Sequence, residues 1–170
     1  AIVHKIQAEI NTTVKLSNTS KLGAKSWSLQ AINTCPASIG DDGRLVDACK
    51  GCYATSGSYR FANVRAYREF NKQAWQDDNF VNDFVKALKK ESFFRFFDSG
   101  DMYSIKLAEK ILLIMQLTQH VTHWLPTRMH KFKKFHAIIK KMQALPNVVV
   151  RLSSDSVKGE IVNSDLTNTN

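Results

Sequence analysis

The residues able to do chemistry fall into two groups. The first is the three cysteines, Cys35, Cys49 and Cys52, which stand close together along the chain. Cys49-Lys50-Gly51-Cys52 is a C-x2-C pair. Two thiolates at that spacing can fold a knuckle around one metal, with Gly51 permitting the turn. Cys35 lies in Thr34-Cys35-Pro36, where the proline stiffens a ligand loop. Three cysteines leave one coordination position for a histidine, a carboxylate, water or a substrate. Structural zinc prefers four protein ligands, and an iron–sulfur cluster with one open iron is equally compatible with C-x13-C-x2-C. The alternatives are a redox pair beside one free cysteine, or three packed thiols.

The second group is three polar clusters, each following a short apolar segment: Asp98-Ser99-Gly100-Asp101, Pro126-Thr127-Arg128, and Arg151 with Ser153, Ser154 and Asp155. Asp98 and Asp101 could act as acid or base, hold a metal or bind ligand hydroxyls. Arg128 could clamp a phosphate or carboxylate. These three are the candidate catalytic residues, and Ser99, Thr127, Ser153 and Asp155 are candidate substrate contacts. Plainer roles compete: Ser99 or Asp101 as a helix cap, Arg128 as a solvated residue in a first helical turn, the serines as turn residues. No G-x-S-x-G, Walker A or G-x-G-x-x-G occurs, so serine-hydrolase, P-loop and Rossmann readings lack support. His4, His120, His123, His130 and His136 form no H-E-x-x-H pattern.

Periodicity predicts the elements that must carry these groups. Residues 1–34 read as extended segments, with Ile6, Ala8 and Ile10, then Val14 and Leu16, alternating with polar neighbours. Residues 35–58 form a cysteine loop. Phe61, Val64, Tyr67, Phe70 and Ala74 recur at helical spacing, and a second helix is expected over 78–90, capped by Asp77 or Asp78. Strands are expected at 93–97, 121–125 and 147–152, separated by helices over 104–118 and 129–145. That order, β-α-β-α-β, predicts an α/β domain with a short parallel sheet, resembling a partial (β/α) barrel. Such folds gather their sites at the carboxyl ends of strands, where the three polar clusters fall. Residues 156–170 read as a polar tail, and the whole of 1–170 as one domain.

Hydrophobic residues make up 44% of the chain and charged residues 23%, which excludes global disorder. No apolar run approaches the length of a membrane span, and Ala1–Lys5 opens no signal peptide, so no membrane partner is expected and the expected location is the cytoplasm. The net charge of +9 favours polyanionic partners: nucleic acid, a nucleotide or an acidic protein. Lys131, Lys133, Lys134, Lys140 and Lys141 share one predicted helix, and its bland reading is a solvated outer face. Lys50, Arg60, Arg65 and Arg68 interleave with Tyr53, Tyr59, Phe61 and Tyr67 beside the cysteines, a mixture that can bind single strands or nucleotides.

Thr34-Cys35-Pro36-Ala37-Ser38, Cys49-Lys50-Gly51-Cys52-Tyr53-Ala54 and Gly57-Ser58-Tyr59, followed by Arg68 and Asn71, resemble the phage gene-product-88-like proteins. Phe97-Asp98-Ser99-Gly100-Asp101 and Trp124-Leu125-Pro126-Thr127-Arg128 resemble that family's later motifs. The resemblance runs from about Lys21 to Asp155. It implies an iron–sulfur cluster or zinc on Cys35, Cys49 and Cys52, adds Arg68 and Asn71 to the substrate contacts, and implies the host cytoplasm as location. Family members continue into a cysteine-rich segment, whereas no cysteine follows Cys52, so this chain reads as a short or shortened member. The three-cysteine count and the barrel-like units also prompt a radical mechanism with S-adenosylmethionine, against which stands the missing C-x3-C-x2-C spacing. The function expected is a phage metalloprotein acting on a nucleotide or nucleic acid at the strand ends. The rival is a non-enzymatic basic binding protein, such as a phage inhibitor of a host defence, contacting nucleic acid or an acidic partner.

Overall fold

A computed structural model of the protein describes residues 12–19, 21–158 and 165–166. It is a mixed α/β fold. Five strands, β1 (Ser17–Thr19), β2 (Ala24–Trp27), β3 (Phe93–Phe96), β4 (Thr122–Thr127) and β5 (Val148–Leu152), form one sheet in the order β1-β2-β3-β4-β5. β1 pairs antiparallel with β2, and every other pair is parallel. The helices are α1 (Asp47–Lys50), α2 (Ala62–Ala74), α3 (Phe80–Ala87), α4 (Ile105–Leu117) and α5 (His136–Gln143). From β3 to β5 the order is β-α-β-α-β, as the spacing of the apolar segments predicts.

The core follows the predicted faces on most elements. Leu107, Ile111, Ile114 and Met115 of α4 are buried, as are Ile138, Ile139 and Met142 of α5 and Phe80 and Phe84 of α3. They pack on Phe94 and Phe96 of β3, Leu125 of β4 and Val150 of β5. Phe84 stacks on Phe96 and meets Phe94 and Trp27 edge-on, geometries that favour aromatic pairs. Within the polar tail, Leu166 is buried against this core. The alternation of Ile6, Ala8 and Ile10 lies outside the described residues.

Three elements differ from expectation. Ala24–Trp27 is a strand of the parallel sheet, giving four parallel strands where three were expected. The helix expected over 129–145 begins only at His136, after 3-10 turns at Met129–Lys131 and Lys133–Phe135, and Phe132 faces solvent. Phe61, just before α2, and Tyr67 within it are exposed, and the buried positions of the helix are Arg68 and Asn71. The Tyr67 and Phe70 rings are instead covered by the Lys15 ammonium. A helix that turns an arginine and an asparagine inward must meet polar surroundings there.

His123 is buried under the sheet, stacked on Phe96. The Thr118 hydroxyl donates to the Ile114 carbonyl and meets His123 Nε2 at 2.7 Å, so Nε2 carries the proton and donates. Burial lowers the His123 pKa to about 4. The unfolded chain therefore takes up this proton first as pH falls, and the associated stability is present above about pH 6.5 and lost by about pH 4. Wild type should lose about 3 kcal/mol relative to His123→Gln across that window. Urea unfolding at pH 7 and pH 4 measures the difference, and a gap that does not change with pH would contradict it.

Candidate active site: a thiol-lined cavity at the strand ends

The ladder between β3 and β4 is short for a reason written in the sequence. It pairs Phe93–Arg95 with Thr122–Trp124 and then stops. The Thr122 N–H donates to Ser92 and the His123 N–H to Asn147, so alternate residues of β4 face β3 and β5. Pro126 consequently faces β3 and has no N–H to extend the ladder. Beyond this point lies a cavity of about 290 Å³.

The carboxyl ends of all four parallel strands contribute to its wall. The segment after β2 brings Cys35, Cys49, Cys52 and Tyr53; β3 brings Asp98, Ser99, Gly100 and Asp101; β4 brings Thr127 and Arg128; the end of β5 brings Ser153. The three cysteines are free thiols, and all three line this one space. Two of the wall residues, Ile32 and Phe97, hold φ of 68° and 63°. Left-handed backbone at bulky residues costs about 1–3 kcal/mol each and tends to gather at functional sites.

Asp101 is the buried anchor of the rim. Its carboxylate accepts from the Thr127 hydroxyl at 2.7 Å, the Arg128 N–H at 2.8 Å and the Met102 N–H at 2.8 Å. Burial raises its pKa to about 6 against the pull of those three donors. The next helix is preceded by Ser104, so neither Asp101 nor Ser99 caps it. Ser99 donates to the Leu29 carbonyl at 2.6 Å and ties the end of β3 to the start of the cysteine segment. Asp98 accepts from Tyr59 at 2.7 Å and pairs with Arg95 at 3.4 Å, while its carbonyl accepts from Tyr53 at 2.6 Å.

Arg128 reaches from β4 to the thiols. It donates to Cys49 Sγ at 2.9 Å and to the Ser154 carbonyl at 2.7 Å, and it pairs with Asp155 at 3.2 Å. Asp155 lies outside the cavity lining and also holds Lys131 at 2.7 Å. Asn71 lies outside it too, donating to the Ser28 carbonyl at 3.0 Å and so fixing the end of β2. Arg68 stacks on Tyr59, 4.7 Å from the ring centre, on the far side of Asp98. The structure thus brings Cys35, Cys49, Cys52, Asp98, Ser99, Asp101, Thr127, Arg128 and Ser153 to one cavity. Lys133, Lys134, Lys140 and Lys141 are exposed elsewhere. Sequence reasoning missed Arg95 and Ser38, which also line the cavity. The signal for Arg95 was available, as the lone charge inside Phe93-Phe94-Arg95-Phe96-Phe97.

The donor set can be tested against a metal. Among the described residues, no group of three or more His, Cys, Asp or Glu stands close enough to share one ion. A Zn–S distance of about 2.3 Å would demand that closeness. The cavity wall also sets the ionisation of two of its thiols. Burial, the Asp101 charge and the neighbouring Cys49 and Cys52 push the Cys35 thiol up to about 12. Cys49 is raised by burial too, against the pull of Arg128. A cation beside Cys35 and Cys49 would favour their thiolates and reverse that effect. The buried Ser38 hydroxyl on the same wall has no protein partner.

A family model described as Gene product 88 matches residues 4–169. Comparison with curated proteins and with solved structures finds no match. The motifs that build the cavity, from Cys35 through Asp101 to Arg128, all lie inside the matched span. The chain belongs to the phage Gene product 88 family.

Proposed function

We propose that the protein is a phage metalloprotein whose centre is held by Cys35, Cys49 and Cys52 and whose reaction takes place at the polar rim beside them. The observation that carries this reading is the convergence of three free thiols with Asp98, Asp101, Thr127 and Arg128 in one cavity at the carboxyl ends of a parallel sheet. Among the described residues no three ligand side chains meet at one ion, and an iron–sulfur cluster, whose cysteines bind different irons, does not require them to. A cluster on three cysteines supplies an iron with an open position for substrate or for S-adenosylmethionine, which belongs to the cluster version of the reading only.

The chain's own residues have defined parts in this reading. Arg128 fixes the Cys49 sulfur and would offset the charge of a Cys49 thiolate ligand. Asp101 holds Arg128 and Thr127 in register and is poised to exchange a proton near pH 6. Asp98, held by Tyr59 and Arg95, faces the substrate side. A nucleotide or nucleic-acid substrate follows from the cationic and aromatic residues beside the rim. Anaerobic purification with iron, sulfide and zinc analysis tests the proposal. Iron and sulfide in fixed proportion to the chain, with broad absorbance near roughly 400 nm, are expected. Protein that binds neither iron nor zinc, with Cys49 joined to Cys52, would overturn it.

A further inference from the structure

A second cavity, of about 700 Å³, lies on the other side of Asp98. Tyr53, Arg95 and Asp98 line both spaces, so the two share a wall. The charged groups lining this second space are Lys21, Arg68, Arg95 and Asp98, three cations against one carboxylate. Arg95 is the cation that pairs with Asp98. Arg68 is only 6% exposed, and its Nη1 has no hydrogen-bond partner. It lies against the face of Tyr59, 4.7 Å from the ring centre. Asp98 is the carboxylate that acts on this guanidinium, and burial outweighs that charge and depresses the Arg68 pKa. α2 pays twice for the arrangement, because Phe61 and Tyr67 are left exposed while Arg68 and Asn71 are turned inward.

We propose that this cavity is an anion subsite that takes the phosphate of a nucleotide-class ligand, with Arg68 as principal contact and Lys21 at the rim. Three cations against the single carboxylate of Asp98 leave an excess of positive charge that suits a phosphate dianion. Tyr53 presents a half-exposed ring at the mouth, a surface on which a base can stack. The proposal deepens the reading of the thiol cavity, on which it rests only for calling the ligand a substrate.

Calorimetric titration of the full chain with AMP, adenosine and inorganic phosphate tests it, with metal content measured on the same sample. AMP should bind at least about tenfold more tightly than adenosine and more tightly than inorganic phosphate. Arg68→Gln should weaken AMP by about tenfold or more, with circular dichroism confirming the fold. Lys21 is exposed, so Lys21→Gln keeps the fold and should weaken AMP by about threefold. Equal affinity for AMP and adenosine, or AMP binding untouched by Lys21→Gln and by a folded Arg68→Gln, would overturn the proposal. Binding needs no metal. AMP binding without metal would uphold the subsite and sink the thiol reading, and metal without AMP binding would do the reverse.

Discussion

Gly100→Ala is expected to destabilise the protein by about 3–4 kcal/mol, combining a left-handed backbone with overpacking. Gly100 holds φ of +78°, and a Cβ there would stand 2.7 Å from both Leu29 Cβ and Thr34 Oγ1 and 3.0 Å from the Leu29 carbonyl carbon. Neither Leu29 Cβ nor its backbone can swing aside. The approach is close because this turn fastens the end of β3 to the segment entering the cysteines. The Leu29 N–H donates to Ser99, and the Asp101 N–H donates to Thr34. Gly51→Ala is the control. Its Cβ would meet nothing within 4 Å, and its φ is −111°, so a change below about 1 kcal/mol is expected. Urea unfolding of both variants checks the pair, and equal midpoints would contradict the account. Since the same turn carries Asp98 and Asp101, any Gly100→Ala protein that folds should also bind ligand at the rim poorly.

The second large effect concerns the thiols. Replacing any one of Cys35, Cys49 or Cys52 by Ser should lower metal occupancy by about a hundredfold or more, since a hydroxyl is a poor substitute for a thiolate ligand. The three losses should be alike, because a centre on three ligands fails when one is removed. Arg128→Gln should act on the same property more weakly, by about 10- to 100-fold, as groups that orient metal ligands commonly do. Metal content of the anaerobically purified variants measures both. Unchanged occupancy in Cys35→Ser, with loss only in Cys49→Ser and Cys52→Ser, would leave a two-thiol site and contradict the three-thiol centre.

Much of this arrangement was legible in the sequence, for identifiable reasons. The βα units were readable because the aromatic run at Phe93–Phe97 and the valines at 148–150 alternate with helices of clear apolar face. Their polar ends were readable because strand ends are where parallel folds place their ligands. The extended reading of 1–34 covers β2, but its place in the parallel sheet was missed because Ala24-Lys25-Ser26-Trp27 buries a serine as well as a tryptophan and so lacks the alternation of a half-buried strand. The first part of the helix expected at 129–145 was lost to tertiary contacts. His130 is held at the Ser153 carbonyl, Lys131 at the Ala37 carbonyl, and both ties draw the chain toward the site. The inward face of α2 was misread for a different reason. Periodicity assigns the apolar side to the core, whereas here the helix leaves part of that side exposed and sends Arg68 and Asn71 inward. Such a departure from the local rule is expected where a polar cavity needs a charged wall.

The central claim is that Cys35, Cys49 and Cys52 hold one centre together, and thiol labelling of the anaerobic protein tests it most directly. The protein is treated with an alkylating reagent before and after removal of metal by a chelator, and each cysteine is followed by mass spectrometry. The account predicts that all three are protected before chelation and become labelled together after it, in step with the loss of metal. Labelling of Cys52 at the same rate in both samples, while Cys35 and Cys49 stay protected by burial alone, would contradict it.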